Sequence, residues 1–126
     1  MKISTFTIIK NEVDFVGFNI MSVLNYTDEM IFSDGNSTDG TIELIEHIQQ
    51  KYDKGNKIKL FKNKDCKNLK DDYEKLFNWT IKQCSGDYLW FLHPDMIVIN
   101  PEIIKSSIID SIRYSIKIHS IAGENR

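Results

Sequence analysis

FSDGNSTDGT, residues Phe32 to Thr41, packs two aspartates, two glycines, an asparagine and several hydroxyl side chains between an apolar stretch and a helical one. Its position in the chain decides the fold. Ahead of it, Glu29 to Phe32 reads as a short strand. Behind it, Ile42, Ile45, Ile48 and Tyr52 recur at helical spacing and end near Gly55. A strand that delivers the chain into a polar turn and out along a helix is one step of a βαβ unit.

The same alternation extends in both directions. Lys2 to Ile9 (KISTFTII) is rich in β-branched and aromatic residues and reads as a buried strand. Asn11 then caps a helix from Glu12 to Leu24, with Val13, Val16, Ile20 and Leu24 on one face. Ile58 to Phe61 is a third strand. Tyr73, Leu76, Phe77, Thr80, Ile81 and Cys84 form the clearest amphipathic stripe, and Gly86 stands where a helix C-cap is expected. Asp87 to Leu92 (DYLWFL) reads as a fully apolar fourth strand, broken by His93-Pro94-Asp95. Met96 to Ile99 continues extended up to Asn100-Pro101, a helix start. Tyr114 to Ile121 alternates and reads as a last strand. This order predicts an α/β fold, a mostly parallel sheet with helices on both faces.

In such sheets ligands bind beyond the carboxyl ends of the strands. Every polar cluster of the sequence falls at one of those ends: Lys10-Asn11-Glu12 after the first strand, Asp34-Gly35-Asn36 after the second, Lys62-Asn63-Lys64 after the third and His93-Pro94-Asp95 after the fourth. Each has a plain structural reading beside the functional one. Asp39, before Gly40-Thr41, reads as the N-cap of the next helix. Asp34 is either an Asx-turn residue or a ligand-facing carboxylate. His93 and Asp95 together suit a divalent cation, but two side chains are fewer than a closed protein site requires, so phosphate oxygens would have to complete the shell. His47 and His119 lie on ordinary polar faces and carry no assigned role.

Composition limits the function classes. The chain has 126 residues, 41% of them hydrophobic, with 7 Phe, 5 Tyr and 2 Trp, enough for one globular domain with a real core. Sixteen basic against eighteen acidic side chains give a formal charge of −2, and no Lys/Arg run is dense enough to track phosphates, so nucleic acid is not expected as a partner. Cys66 and Cys84 are too far apart for a CxxC motif, which points to a reduced, cytoplasmic setting. Neither a signal peptide nor a transmembrane segment is expected.

A carboxylate from the second strand and a His/Asp pair from the fourth, aimed at one crevice, resemble the nucleotide-sugar-binding half of a family 2 glycosyltransferase with the Rossmann-like GT-A fold. TIIKNE (Thr7 to Glu12) is similar to that family's first strand and its Lys-Asn-Glu turn. SDGNSTDGT (Ser33 to Thr41) is similar to its VDxGSTDGT loop. FNWTIKQCSGDYLWFLHPD (Phe77 to Asp95) is similar to its run of RN, helix, G-E/D-Y, apolar strand and DxD.

The resemblance implies that Thr7, Lys10, Asn11 and Glu12 border the base, and that Asp34 accepts hydrogen bonds from the uracil or ribose of a UDP-linked sugar. It further implies that Asn78 and His93 help bind the nucleotide sugar, and that Asp95 binds the Mn²⁺ or Mg²⁺ that bridges the diphosphate. There are two departures: His93 stands where the family has the first aspartate of DxD, and Phe77 where it has the arginine of RN. Little chain follows Asp95, and Glu102, Asp110 and Glu124 match no family base motif, so the catalytic base, the donor sugar and the acceptor stay unassigned. The expectation is a single truncated domain of this type, either the donor-binding part of a larger enzyme or a nucleotide-binding module that transfers nothing. Apolar surface beside the fourth strand would favour a homo-oligomer or docking to the rest of a larger enzyme.

Overall fold

The structure is a computed structural model and describes residues 1–112. Four parallel strands, β1 (Ile3–Ile9), β2 (Glu29–Asp34), β3 (Ile58–Lys62) and β4 (Tyr88–Phe91), lie in the order β3-β2-β1-β4. The helices α1 (Val16–Val23), α2 (Thr41–Lys51) and α3 (Leu69–Gln83) make the crossovers, and a 3₁₀ turn at Pro101–Ile103 leads into helical residues 104–112. The expected fold class is the observed one. The expected strand at Tyr114 to Ile121 lies outside the described residues.

The strand order explains the burial. β1 is paired on both sides, with Phe6 opposite Ile31 and Phe91, and every residue of β1 and β2 is buried. On one face Ile3, Ile9, Met30 and Phe32 pack with Val16, Ile20 and Val23 of α1, Ile45 and Ile48 of α2, and Ile104 and Ile108. On the other, α3 covers β1 and β2, with Phe77 edge-on to Phe6 at 5.4 Å and Thr80 Oγ1 2.6 Å from Ser33 Oγ. Burial of each such aliphatic side chain contributes roughly 1.5–3 kcal/mol. The chain steps from β1 to β2 to β3 with helices on one face, then crosses by α3 on the other to reach β4 beside β1. Right-handed crossovers require that change of face when the direction reverses, and in sheets of this kind the point of reversal, here between the carboxyl ends of β1 and β4, is where the ligand crevice lies.

Four local expectations are corrected. α1 begins at Val16 rather than Glu12, because Asn11 adopts a left-handed φ of 54° and its side chain accepts from Thr38 N at 2.8 Å instead of capping a helix. Gly86 is not a C-cap: α3 closes at Cys84 in an extended conformation, and a Cβ on Gly86 would stand 2.5 Å from Ser4 Oγ and 2.7 Å from Ser4 N. Close approach, not a left-handed turn, requires glycine there. The fourth strand is shorter than the expected Asp87 to Leu92, running Tyr88–Phe91 on the sheet edge among the described strands, with Tyr88 and Leu89 exposed. Met96 to Ile99 does not extend it, because the turn at Pro94-Asp95 redirects the chain along α1.

At the opposite end of the sheet from the crevice, Glu29 is buried within a polar network. Its carboxylate accepts from Ser4 Oγ at 3.2 Å and from the amide and hydroxyl of Ser85, with Lys2 and Lys59 ammonium groups each at 3.5 Å. Burial pushes its pKa up, but the Ser85 bonds and the two lysines outweigh that and hold the carboxyl below its ordinary range.

Candidate functional site

Two loops fold together at the carboxyl ends of β1 and β2. Asn11 N donates to Ser37 Oγ at 2.8 Å, Glu12 N to Thr41 Oγ1 at 2.9 Å and Val13 N to Asp39 Oδ2 at 3.2 Å. Asp34, buried at the end of β2, accepts from Asn36 N at 2.9 Å, Ser37 N at 3.0 Å and Ser37 Oγ at 2.5 Å. Of the two readings of Asp34, the Asx turn is the one its contacts display. Asn36 takes a φ of 74°, a left-handed conformation that asparagine tolerates.

Asp39 is not the N-cap of α2. Gly40 holds that position with a φ of 100° and contributes no side chain. Asp39 accepts instead from Thr41 N at 3.0 Å, from Thr41 Oγ1 and from Val13 N, so one carboxylate joins the start of α2 to the loop after β1. Burial pushes its pKa up, but the Thr41 hydroxyl and the Val13 and Thr41 amides together outweigh it and bring it below the ordinary carboxylate value.

The other side of the crevice is the turn after β4. Met96 N donates to the His93 carbonyl at 3.1 Å and closes the turn, Pro94 is buried, and both His93 and Asp95 are exposed. The His93 ring meets Phe91 edge-on at 4.5 Å. Across the crevice Glu12 has a raised pKa, first from partial burial, then from the negative charges of Asp95 and Asp39. Carboxylates from the ends of β1 and β4 therefore share one field, and a cation between them would relieve their repulsion.

The remaining expected residues are placed less uniformly. Thr7 is fully buried in β1, in register with Phe32, and its hydroxyl has no hydrogen-bond partner. Lys10 lies near enough to Cys66 and its surroundings to oppose the rise in that thiol's pKa, which burial and Asp72 cause. Asn78 is exposed on α3 and lines a groove of about 530 Å³ with Asn63, Asp65, Asp72 and Trp79. Phe77, in the place of the family's arginine, belongs to an aromatic cluster with Phe6, Tyr73 and Phe91.

One residue of the site was missed from sequence. Asn19, fully buried in α1, donates through Nδ2 to the carbonyls of His93 at 3.0 Å and Met96 at 2.8 Å. The available signal was an amide on the otherwise apolar face formed by Val16, Ile20 and Val23. Neither cysteine offers a reactive thiolate: burial pushes Cys66 up, and burial, followed by Glu29, pushes Cys84 up to about 11.

Among the described residues no three His, Cys, Asp or Glu side chains converge into a metal cage. The donor set at the crevice, Asp95 with Glu12 nearby, fits a cation only if a ligand brings further oxygens, and a diphosphate does.

The Glycosyl transferase family 2 model matches residues 4–105. Residues 1–349 of S. aureus TarS superpose with a TM-score of 0.68 at 22% identity, over 88% of this chain and 33% of that one. The mannosyltransferase PcManGT from Pyrobaculum calidifontis, in complex with GDP-Man and Mn²⁺, superposes with a TM-score of 0.67 at 13% identity, over 82% of this chain and 30% of that one. Likeness at such identities shows the fold, and the chain spans about a third of the length of these structures. No curated protein matches it. The match over most of its length, on a GT-A-like parallel sheet, makes this chain a member of glycosyl transferase family 2.

Proposed function

We propose that the chain is the donor-binding portion of a glycosyltransferase and holds a nucleoside diphosphate sugar, UDP-linked, with Mn²⁺ or Mg²⁺ at the β1/β4 crevice. The observation that carries this reading is that Glu12 follows β1 and Asp95 follows β4, two adjacent parallel strands whose carboxyl ends lie where the strand order reverses. Asp95 would hold the cation, with diphosphate oxygens completing its shell. A divalent cation held there would supply positive charge against the charge that grows on a departing nucleoside diphosphate.

The protein's own contribution is orientation. Lys10, Asn11 and Glu12 offer polar groups at the base side, the internally bonded Asp34 loop gives that side a fixed shape, and Asp34 would accept from ribose or uracil through lone pairs beyond those that bond Asn36 and Ser37. His93 donates to a ribose hydroxyl in place of the family's first aspartate. Thr7 and Asn78 contribute less directly, Thr7 from beneath the crevice and Asn78 from the flank of α3. The GDP-Man bound to PcManGT makes guanine the base to test against uracil. A cytoplasmic setting agrees with two free thiols and with the finding that, among the described residues, no helix is long and apolar enough to cross a membrane.

A second reading, a nucleotide-binding or regulatory module that transfers no sugar, is favoured by Phe77, which replaces a cation with a hydrocarbon ring. Self-association, or docking to the rest of a larger enzyme, fits the exposure of Phe18 (66%), Ile97 (57%) and Ile99 (87%). Equilibrium binding of a UDP-sugar in Mn²⁺, with Asp95→Asn as the comparison, tests the site. Loss of the metal-dependent part in the variant supports it, and equal binding by both proteins removes Asp95 from it. Donor hydrolysis then separates the transferase from the silent module.

A further inference from the structure

We propose that Asn19 is a positioning residue: it holds the His93–Met96 turn so that Asp95 can reach a nucleotide-bound divalent cation. The proposal rests on the donor-binding reading above. Asp95 is exposed, so no packing fixes its side chain, and its placement depends on the backbone that carries it. That backbone is gripped on both sides of Asp95. Asn19 Nδ2 donates to the His93 carbonyl at 3.0 Å and to the Met96 carbonyl at 2.8 Å, while Met96 N closes the turn onto His93 O. Less than one helical turn further on, Ser22 Oγ accepts from Val98 N at 3.2 Å and ties down the outgoing chain.

The chemistry fixes which end of the amide faces the turn, since two carbonyls can be met only by the NH₂ group. The Asn19 Oδ1 atom is then left buried without a partner. An unsatisfied buried acceptor costs about 1–3 kcal/mol, and a leucine on this apolar face would avoid that cost. Packing of α1 against the sheet therefore gives no reason for an asparagine, whereas the geometry of the turn does.

The test compares wild type with Asn19→Leu, which keeps side-chain bulk, and Asn19→Asp, which keeps shape but loses both donors. UDP affinity is measured for each full chain in Mn²⁺ and in EDTA, alongside amide exchange at Met96 and Val98. The gain in affinity that Mn²⁺ confers should fall roughly 10- to 100-fold in both variants, as for other residues that orient a metal ligand. EDTA affinity should fall much less, by no more than the His93 contact supplies, and exchange at the two amides should quicken. Ser22→Ala, which leaves the amide clamp in place, should give a smaller loss of the same kind. A wild type with a clear Mn²⁺ gain and Asn19 variants that retain it would overturn this proposal alone. Equal losses in Mn²⁺ and EDTA would also overturn it, since they mark a general structural role. A wild type with no Mn²⁺ gain would remove the donor-binding reading and this proposal with it.

Discussion

Thr41, the first residue of α2, accepts the amide proton of Glu12 at 2.9 Å, and through this bond the loop after β2 and the loop after β1 become one surface. The same hydroxyl meets Asp39, which reaches on to Val13 N. One side of the crevice is thus held together by the chain's own hydrogen bonds.

Asp39→Ala should therefore act on stability rather than on the ligand. It removes the acceptor for the Thr41 amide at the start of α2, and a loss of about 1 kcal/mol is expected, typical of a helix-start carboxylate. Thermal melting checks the loss, and UDP binding should persist below the transition. A variant that melts normally yet has lost the nucleotide would place Asp39 in the binding site itself.

Glu29 sets an acid limit on the fold. Its folded pKa lies below the ordinary 4.5, so it contributes stability that is fully present above that value and is lost as pH falls through the folded pKa. Chemical denaturation across acid pH should show wild type losing an increment that Glu29→Gln lacks from the start. Truncation to alanine strands the Ser4 and Ser85 partners and should cost about 1–3 kcal/mol at neutral pH. Curves that stay parallel for wild type and Glu29→Gln throughout the acid range would remove Glu29 from the acid response.

Gly86 admits no side chain. A Cβ at 2.7 Å from Ser4 N and 2.9 Å from Lys2 O meets backbone, which cannot rotate away, so Gly86→Ala must displace β4 from β1. A destabilisation of about 1–3 kcal/mol is expected from overpacking, read as a drop in denaturation midpoint. An unchanged midpoint would show that the end of α3 can shift freely.

Much of this was legible in the sequence because it is periodic. The β-branched run Ile3–Ile9 and the stripe that includes Leu76, Phe77 and Thr80 are dictated by local spacing, and their alternation gives the parallel α/β sheet. What escaped depends on contacts distant in the chain. The late start of α1 follows from Asn11 bonding Thr38, the glycine at position 86 from its approach to Ser4, and the role of Asn19 from carbonyls more than seventy residues away. The polar clusters at the strand ends were legible from local pattern, whereas the groove that Asn78 lines depends on how α3 packs onto β1 and β2. The break after β4 was legible at His93-Pro94-Asp95, whereas its position on the edge among the described strands follows from the crossover by α3 to the far side of β1.

The central claim, metal-dependent binding of a uridine diphosphate compound between β1 and β4, is tested most directly by calorimetry of UDP with the full chain, at millimolar protein and ligand, in Mn²⁺ and in EDTA, with GDP as the comparison. The account predicts saturable UDP heat in Mn²⁺ that falls sharply in EDTA and in Asp95→Asn. No UDP heat in Mn²⁺ at those concentrations would contradict it.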